Sequence, residues 1–203
     1  MTSGSAHRRA IICTGNPHKV EELGELLAGL DFAFSALPAD AVLPPETADS
    51  FVGNARIKAE AGHDSYPDAW VIADDSGLIV DALDGAPGVW SARFAGDGAS
   101  DQDNVDLLLE RLAGTPDAER TARFACVLVA IAPDGSEHVA EGFVEGVVAR
   151  APAGDSGFGY DPVFVPLGHT ESFAELGSHA KAQLSHRAHA AQALRDQLGE
   201  LSA

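Results

Sequence analysis

The segment RAIICTGNPHKVEELGELL, residues 9–27, predicts the unit that opens the fold. Its first five residues are typical of a short buried strand. Apolar residues then recur at helical spacing, at Val20, Leu23, Leu26, Leu27 and Leu30. Between the strand and the helix, Asn16 suits the N-cap and Pro17 suits the first helical position. The chain is therefore predicted to begin with a strand, a loop and a helix.

The remaining segments predict both helices and strands. Residues 51–62 favour a helix whose small residues allow close packing, and Ser100 is expected to cap a helix that stops at Gly114. Residues 69–73 predict a second buried strand, and residues 77–83 continue extended after a break. Other segments predict a strand and then a loop in 33–50, a β-hairpin in 123–132 and 137–150, a glycine-rich loop and short strand in 152–166, and a last helix from Ser185 through about Leu201. This mixture predicts a single α/β domain with a mixed sheet.

The composition restricts the classes of function. The 203 residues carry a formal net charge of -18, which opposes binding to a nucleic-acid backbone. No apolar run has the length of a membrane span, and the N-terminal residues lack the apolar core of a secretory signal. Cys13 and Cys126 each lie in an apolar run and are predicted to be buried thiols rather than a disulfide. We therefore expect a cytoplasmic protein with no nucleic-acid or membrane partner.

Cations occupy an unfavourable place at the start of the first helix. The chain has ten Arg and three Lys, yet His18 and Lys19 lie in the first turn, where the helix dipole disfavours a cation by about 0.3–1 kcal/mol. An anion bound between Lys19 and the backbone N–H groups would remove this cost. Thr14, Gly15 and Asn16 supply donors, although the G-K-[ST] of a Walker A loop is absent. The loop therefore indicates a phosphate site, and an ordinary capped helix is the alternative.

The start of the last helix repeats this pattern. Ser185 is expected at the N-cap, with His186 and Arg187 directly in the first turn. If both helix starts face one cleft, they form a site for a strongly anionic ligand. A polyphosphate is the expected ligand of such a site on an acidic protein.

Two adjacent carboxylates follow a buried strand. Asp74 and Asp75 are costly to bury unless positive charge compensates them. Mg²⁺ is the usual compensation beside phosphates, because it takes carboxylate oxygens and keeps several waters. Successive strand side chains point to opposite faces, so only one of the pair need face a ligand. Glu46 is a candidate second carboxylate, while the alternative is a pair of solvated Asp side chains in a turn before Ser76.

The segment GFGYDPVF, residues 157–164, is a candidate base site. Two glycines free the backbone around Phe158, whose ring would stack on a nucleobase, and Asp161 would accept a hydrogen bond from a base N–H. The alternative is a glycine-rich turn with Phe158 and Tyr160 in the core. No His or Cys cluster has the spacing of a zinc site, and no G-x-S-x-G motif occurs.

Five motifs together resemble the inosine triphosphate pyrophosphatase family, whose members are house-cleaning hydrolases of noncanonical purine nucleoside triphosphates. They are TGNPHK, NARIKA, ADDSGLIVDALDGAPGVWSARFAG, EGVVARAPAGDSGFGYDPVF and SHR, in the family's order over residues 10–198. The resemblance implies one domain over residues 1–203, with a short flexible N-terminus, and an elongated mixed β-sheet flanked by helices, with two lobes around a central cleft. It also implies Mg²⁺ as the cofactor and a homodimer.

The resemblance implies a role for each site residue. Asp75 would be the catalytic carboxylate and a Mg²⁺ ligand, with Glu46 as a further metal ligand and Ser76 near the substrate. The phosphates would be bound by Thr14, Gly15, Asn16, Pro17, His18 and Lys19. The nucleotide and its base would be bound by Phe158, Gly159, Tyr160, Asp161, Lys181, His186 and Arg187.

Two positions depart from the family pattern. Gly53 stands where relatives often carry an acidic residue, so the resemblance carries no metal ligand to this position. His18 stands where many relatives have Gly, which predicts a difference in loop flexibility.

The expected reaction is hydrolysis of dITP, ITP, XTP and dXTP to the nucleoside monophosphate and pyrophosphate. Water would attack the α-phosphorus, with Asp75 holding the metal and positioning or deprotonating the water. A donor such as Arg187 would favour a 6-keto purine, because adenine would place a donor against a donor. The alternatives are a related pyrophosphatase for other modified or standard triphosphates and a nucleotide-binding module without turnover.

Overall fold

The computed structural model describes residues 8–38 and 40–200. Its strands are β1 (Arg8–Cys13), β2 (Phe32–Ala36), β3 (Trp70–Val80), β4 (Thr121–Ile131), β5 (Glu137–Val148) and β6 (Phe164–Pro166). Its helices are α1 (Pro17–Leu26), α2 (Phe51–Ser65), α3 (Asp101–Arg111), α4 (Phe173–Leu184) and α5 (His186–Glu200). The predicted flexible N-terminus and the predicted helix end at Leu201 lie outside the described residues.

The described strands form a mixed six-stranded sheet in the order β2-β1-β3-β4-β5-β6. β1 pairs in parallel with both β2 and β3, with Ala10 opposite Trp70 and Cys13 opposite Ala73. β5 and β6 pair in antiparallel fashion. Parallel neighbours need a long crossover, which the segment between β1 and β3 supplies with α1 and α2. The prediction of an α/β fold with a mixed sheet is confirmed.

Local capping sets the starts of the helices, as predicted. Asn16 accepts the His18 N–H at 3.0 Å through its side chain, directly before Pro17. Ser100 forms a capping box with Asp103 at the start of α3. Ser185 accepts the Ala188 N–H through its hydroxyl at 3.2 Å and so caps α5. Each cap satisfies N–H groups that the helix itself leaves without partners.

Three sequence assignments differ from the structure. The break predicted between the second strand and residues 77–83 is wrong, because β3 runs without interruption from Trp70 to Val80. α1 ends at Leu26, although the apolar repeat continues to Leu30. α4 was not predicted, and Gly177 within it has φ 78° and ψ 178°, which interrupts the helical pattern.

The chain divides into two compact units. The first contains the described residues of Met1–Asp75, Val127–Glu141 and Ala190–Ala203. Its core includes Cys13 and Val71, against which α2 packs closely. A Cβ added at Gly62 would lie 2.5 Å from the Cys13 sulphur, so only glycine fits this contact. The predicted close packing of this small-residue helix is thus confirmed.

The second unit comprises Ser76–Cys126 and Gly142–His189. Its core contains a cluster of aromatic rings from Phe124, Phe164 and Phe173. Arg120 is buried there and donates hydrogen bonds to three backbone carbonyls, those of Leu112, Val148 and Ala149. This guanidinium joins the end of α3 to the end of β5, and burial lowers its pKa.

Two further sequence-based expectations bear on the class of protein. Cys13 and Cys126 are both buried and neither forms a disulfide, which confirms that prediction. None of the helices within the described ranges has the length and apolarity that crossing a bilayer requires.

Candidate active site

The candidate site residues divide between the two units. The first unit holds the loop and helix start from Thr14 to Lys19 together with Glu46 and Asp75. The second unit holds Ser76, the segment from Phe158 to Asp161, and three basic side chains. Those side chains are Lys181, His186 and Arg187.

The first group is an acidic centre, formed by Glu46, Asp74 and Asp75. Asp74 and Asp75 lie within β3 and are almost fully buried, with exposed fractions of 0% and 5%. Lys58 of α2, also buried, donates a hydrogen bond to Glu46. Its pKa is the result of opposing effects: burial lowers it, but the carboxylates of the acidic centre outweigh burial and raise it. The buried ammonium therefore stays charged and compensates the carboxylates.

Asn54 connects α2 to the acidic centre. Its side-chain nitrogen donates to Asp75 Oδ2 at 3.1 Å, and its side-chain oxygen accepts the Ala48 N–H at 2.9 Å. It lies four residues before Lys58, so the two side chains share one face of α2. Sequence reasoning assigned neither residue to the site, although both belong to the NARIKA motif. The sequence feature that could have identified them is their helical spacing. This spacing indicates a site only when Asp75 is known to face α2.

Burial gives Asp75 an unusual titration. Loss of solvation raises the pKa of Asp75 from 3.8 to about 6, against the lowering effects of Lys58, Lys19 and the Asn54 hydrogen bond. Glu46 adds to the rise by repulsion between like charges. A carboxylate with this pKa is ionised at neutral pH and basic enough to accept a proton from a polarised water.

The acidic centre suits a divalent cation that keeps several non-protein ligands. Asp75 and Glu46 supply carboxylate oxygens, which are the donors that Mg²⁺ prefers. Within residues 8–38 and 40–200, no group of three or more His, Cys, Asp or Glu side chains is arranged to hold a metal by itself. Two carboxylates with phosphate oxygens and water match Mg²⁺ better than a metal enclosed by protein ligands. The raised pKa of Asp75 shows that the buried charge is only partly compensated by the protein.

Lys19 at the start of α1 contacts the acidic centre. Its ammonium nitrogen lies 2.8 Å from Asp74 Oδ2, and its side chain is 14% exposed. This ion pair explains why a cation tolerates the unfavourable end of the helix dipole. In the preceding loop, the Thr14 hydroxyl accepts the Asn16 N–H at 3.3 Å. Binding of an anion by this loop stays a prediction.

The second group centres on the aromatic loop, Gly157–Asp161. The Phe158 N–H donates to Asp161 Oδ2 at 2.9 Å, and Lys181 donates to the same oxygen at 2.7 Å. The Lys181 nitrogen lies 4.3 Å from the centre of the Phe158 ring. A Cβ at Gly157 would collide with the Asp161 carboxylate, so glycine is required there. Asp161, which sequence reasoning assigned to a base N–H, thus holds the loop and Lys181 in place.

The remaining candidates of this unit have distinct surroundings. Tyr160 is buried in the core and donates its hydroxyl hydrogen to the Ser91 carbonyl at 2.8 Å, whereas Phe158 is half-buried. His186 stacks on Phe124 with 4.7 Å between ring centres and an interplanar angle of 11°. The core alternative therefore describes Tyr160 but not Phe158.

Arg187 links Ser76 to the aromatic loop. Its guanidinium donates to Ser76 Oγ at 3.1 Å and lies 5.3 Å from the centre of the Phe158 ring. Lys181 and Arg187 therefore both lie against this aromatic side chain. Cations against a half-buried ring are suited to bind a flat, electron-rich ligand that carries carbonyl oxygens.

Comparisons with known proteins identify the family of this chain. The Ham1 family profile matches residues 10–197. A dITP/XTP pyrophosphatase of Streptomyces coelicolor is 44% identical over 192 residues, which cover 92% of this chain and 94% of that protein. A dITP/XTP pyrophosphatase of Porphyromonas gingivalis is 46% identical over 192 residues, covering 93% of this chain and 96% of the relative.

Solved structures agree as well. A HAM1 protein from Coxiella burnetii superposes with a TM-score of 0.85 at 36% identity, covering 95% of this chain and 99% of that one. A nucleoside-triphosphatase (dITP/XTP pyrophosphatase) from Mycobacterium abscessus gives a TM-score of 0.74 at 42% identity, covering 92% and 98% of the two chains. The profile, the relatives and the structures agree over nearly the whole length, and the chain belongs to the Ham1 family.

Proposed function

We propose that this protein hydrolyses noncanonical purine nucleoside triphosphates, dITP or ITP and XTP or dXTP, to the nucleoside monophosphate and pyrophosphate. The observation that carries the proposal is the buried Asp75, whose pKa is raised to about 6 beside Lys58 and Asn54. Such a carboxylate is suited to water activation next to a polyphosphate. Relatives that carry the name dITP/XTP pyrophosphatase across most of this chain support the choice of substrate.

The acidic centre would provide the catalytic chemistry. Asp75 and Glu46 would hold Mg²⁺, which supplies positive charge against the triphosphate oxygens when it is bound. Asp75 would also position the attacking water and accept its proton, as the raised pKa favours. Asn54 would orient the Asp75 carboxylate through its hydrogen bond, and Lys58 would hold Glu46. The products are a nucleoside monophosphate and pyrophosphate, and the added water supplies one oxygen to the monophosphate.

The loop before α1 would bind the phosphates. Backbone N–H groups at a helix start attract anions, and Thr14, Gly15 and Asn16 precede Pro17 and His18 in that turn. Lys19 would stabilise the charge that develops on the departing pyrophosphate. Its present partner, Asp74, would then share the ammonium group with a phosphate oxygen.

The aromatic loop and its cations would recognise the base. Phe158 would stack on the purine, with Gly159 leaving room beside the ring, while Lys181 and Arg187 would donate to the 6-keto oxygen of hypoxanthine or xanthine. Adenine presents an amino group there, so a donor would face a donor at roughly 1–3 kcal/mol for each unpaired group. Tyr160 and His186 would act from the core, by fixing the loop and the start of α5.

Side-by-side kinetics with dITP, XTP, dGTP and dATP test this proposal. We expect Mg²⁺-dependent release of pyrophosphate, with kcat/KM for dITP and XTP about ten- to a hundredfold above that for dATP, since about 1–3 kcal/mol for a mispaired polar group corresponds to that ratio. Pyrophosphate should appear in equal amount with the monophosphate. If dATP or a modified pyrimidine reacts faster than dITP and XTP, the protein is a different kind of pyrophosphatase. Binding of dITP without product in Mg²⁺ would instead indicate a nucleotide-binding module.

We also propose a homodimer in the cytoplasm. Phe143 and Val147 lie on one face of β5 with 44% and 36% of their surface exposed, and Leu167 after β6 is 79% exposed. Apolar side chains left exposed on β5 and directly after β6 favour association between copies. Light scattering should report twice the chain mass of 21.0 kDa. A mass of one chain at micromolar concentration would contradict the dimer.

A further inference from the structure

Asp101, the first residue of α3, contacts the aromatic loop although it lies 58 residues before Gly159. Its Oδ2 accepts the Gly159 backbone N–H at 2.6 Å. A short hydrogen bond to an ionised carboxylate is among the stronger kinds in proteins. On the other side of Phe158, the Phe158 N–H is held by Asp161 at 2.9 Å. The backbone on both sides of the ring is therefore fixed by a carboxylate.

Capping of α3 does not account for this contact. The capping box of α3 uses Ser100 and Asp103, whose side chains satisfy each other's backbone N–H groups. α3 is also firmly placed, because the side chain of buried Asn104 accepts the Ala95 N–H at 2.8 Å. Asp101 is thus a fixed acceptor that reaches from a rigid helix to a glycine-rich loop.

The loop has room to move if this contact is lost. A cavity of about 420 Å³ lies beside it and is lined by Asp101, Gln102, Val105, Phe158 and residues of the 152–157 segment. Gly157 and Gly159 have φ of 80° and 61°, values that glycine adopts without strain and from which it departs at little cost. Packing alone therefore does not hold the Phe158 ring on the cavity side.

We infer that Asp101 is a positioning residue that sets the Phe158 ring for base recognition by holding the Gly159 N–H. The inference rests on the proposed function, in which Phe158 stacks on the purine. It would act on the base rather than on the triphosphate, because its contact is with the loop that carries Phe158. Loss of the contact should therefore affect KM and base preference more than kcat.

The test compares Asp101→Ala, Asp101→Asn and Asp103→Ala with the unaltered chain. We expect Asp101→Ala to raise KM for dITP and XTP about tenfold and to change kcat less than about twofold. A small misplacement of a binding group has an effect of about this size. Inhibition by inorganic tripolyphosphate, which has no base, should be unchanged. Asp101→Asn should restore most of the affinity, because its amide oxygen still accepts from Gly159.

Asp103→Ala is the matched control, since it breaks the cap of the same helix and the Asp103 side chain bonds to Ser100 rather than to the loop. It should lower thermal stability and leave KM for dITP unchanged. An NMR measurement adds a direct readout: the Gly159 amide proton should move upfield in Asp101→Ala and not in Asp103→Ala. Equal KM values for Asp101→Ala and Asp103→Ala would overturn the inference. Absence of nucleotide turnover in the unaltered protein would instead reject the proposed function.

Discussion

Asp75→Asn should lower kcat for dITP by about a thousandfold or more while the protein stays folded. The substitution keeps the size of the side chain and an oxygen that can accept from Asn54, but it removes the negative charge and the basic group. Loss of a general base or of a metal-binding carboxylate typically has an effect of this size. Steady-state kinetics at saturating Mg²⁺, with circular dichroism to verify folding, measure the effect.

The same variant should be more stable than the unaltered protein without metal at pH 8. Because the pKa of Asp75 is raised from 3.8 to about 6, the folded protein holds this proton more tightly than the unfolded chain. The favourable contribution of Asp75 to the free energy of unfolding is therefore complete below about pH 4. It is lost as the pH rises through 6, because ionising the buried carboxyl then costs up to about 3 kcal/mol. Thermal melts in EDTA should show a gain for Asp75→Asn that grows between pH 4 and pH 7 and then levels off.

Two results would contradict this account of Asp75. Turnover near that of the unaltered protein would remove Asp75 from the mechanism. A loss of stability at pH 8 would show that the carboxylate is well compensated in the metal-free fold, contrary to its raised pKa. Glu46→Gln is a suitable second variant for comparison, because Glu46 forms an ion pair with Lys58 and is only partly buried.

Lys19→Ala should lower both turnover and stability. The sequence assigns Lys19 to phosphate binding, but its ammonium nitrogen also lies 2.8 Å from the fully buried Asp74. Removing one partner of a buried ion pair costs about 3 kcal/mol, because the other charge stays in a poorly solvating place. We expect kcat/KM for dITP to fall about a hundredfold, as for the loss of one preorganised charge that stabilises a transition state.

A double variant separates the two roles of Lys19. Asp74→Asn removes the buried charge, so adding Lys19→Ala in that background should cost little stability. If Lys19 binds phosphate, inorganic tripolyphosphate should inhibit the double variant about tenfold less strongly than it inhibits the Asp74→Asn variant. Equal inhibition of the two would show that Lys19 serves only to balance Asp74. Chemical unfolding and inhibition constants, measured on the same samples, decide between these outcomes.

Local signals predicted much of the fold. Helix starts at Asn16, Ser100 and Ser185 were correctly placed, because an N-cap depends on residues within one turn. The helix at Phe173–Leu184 was missed because Gly177 interrupts its pattern, although Ser172 and Glu175 form a capping box at its start. The predicted break in the second strand failed for a different reason. Two adjacent Asp residues are typical of a turn, which is why a break was predicted there. Cations on other elements compensate Asp74 and Asp75, so both can remain within a strand.

The sequence by itself determined most of the element types, the acidic pair Asp74–Asp75 and the misplaced cation Lys19, since each depends on neighbours along the chain. Only the tertiary structure decided which groups meet. Asn54 bonds to Asp75 across 21 residues, and Asp101 bonds to Gly159 across 58. Such contacts produce no periodicity and no cap signal, because their partners lie on different elements. Their energies depend on burial, and burial exists only after the chain has folded.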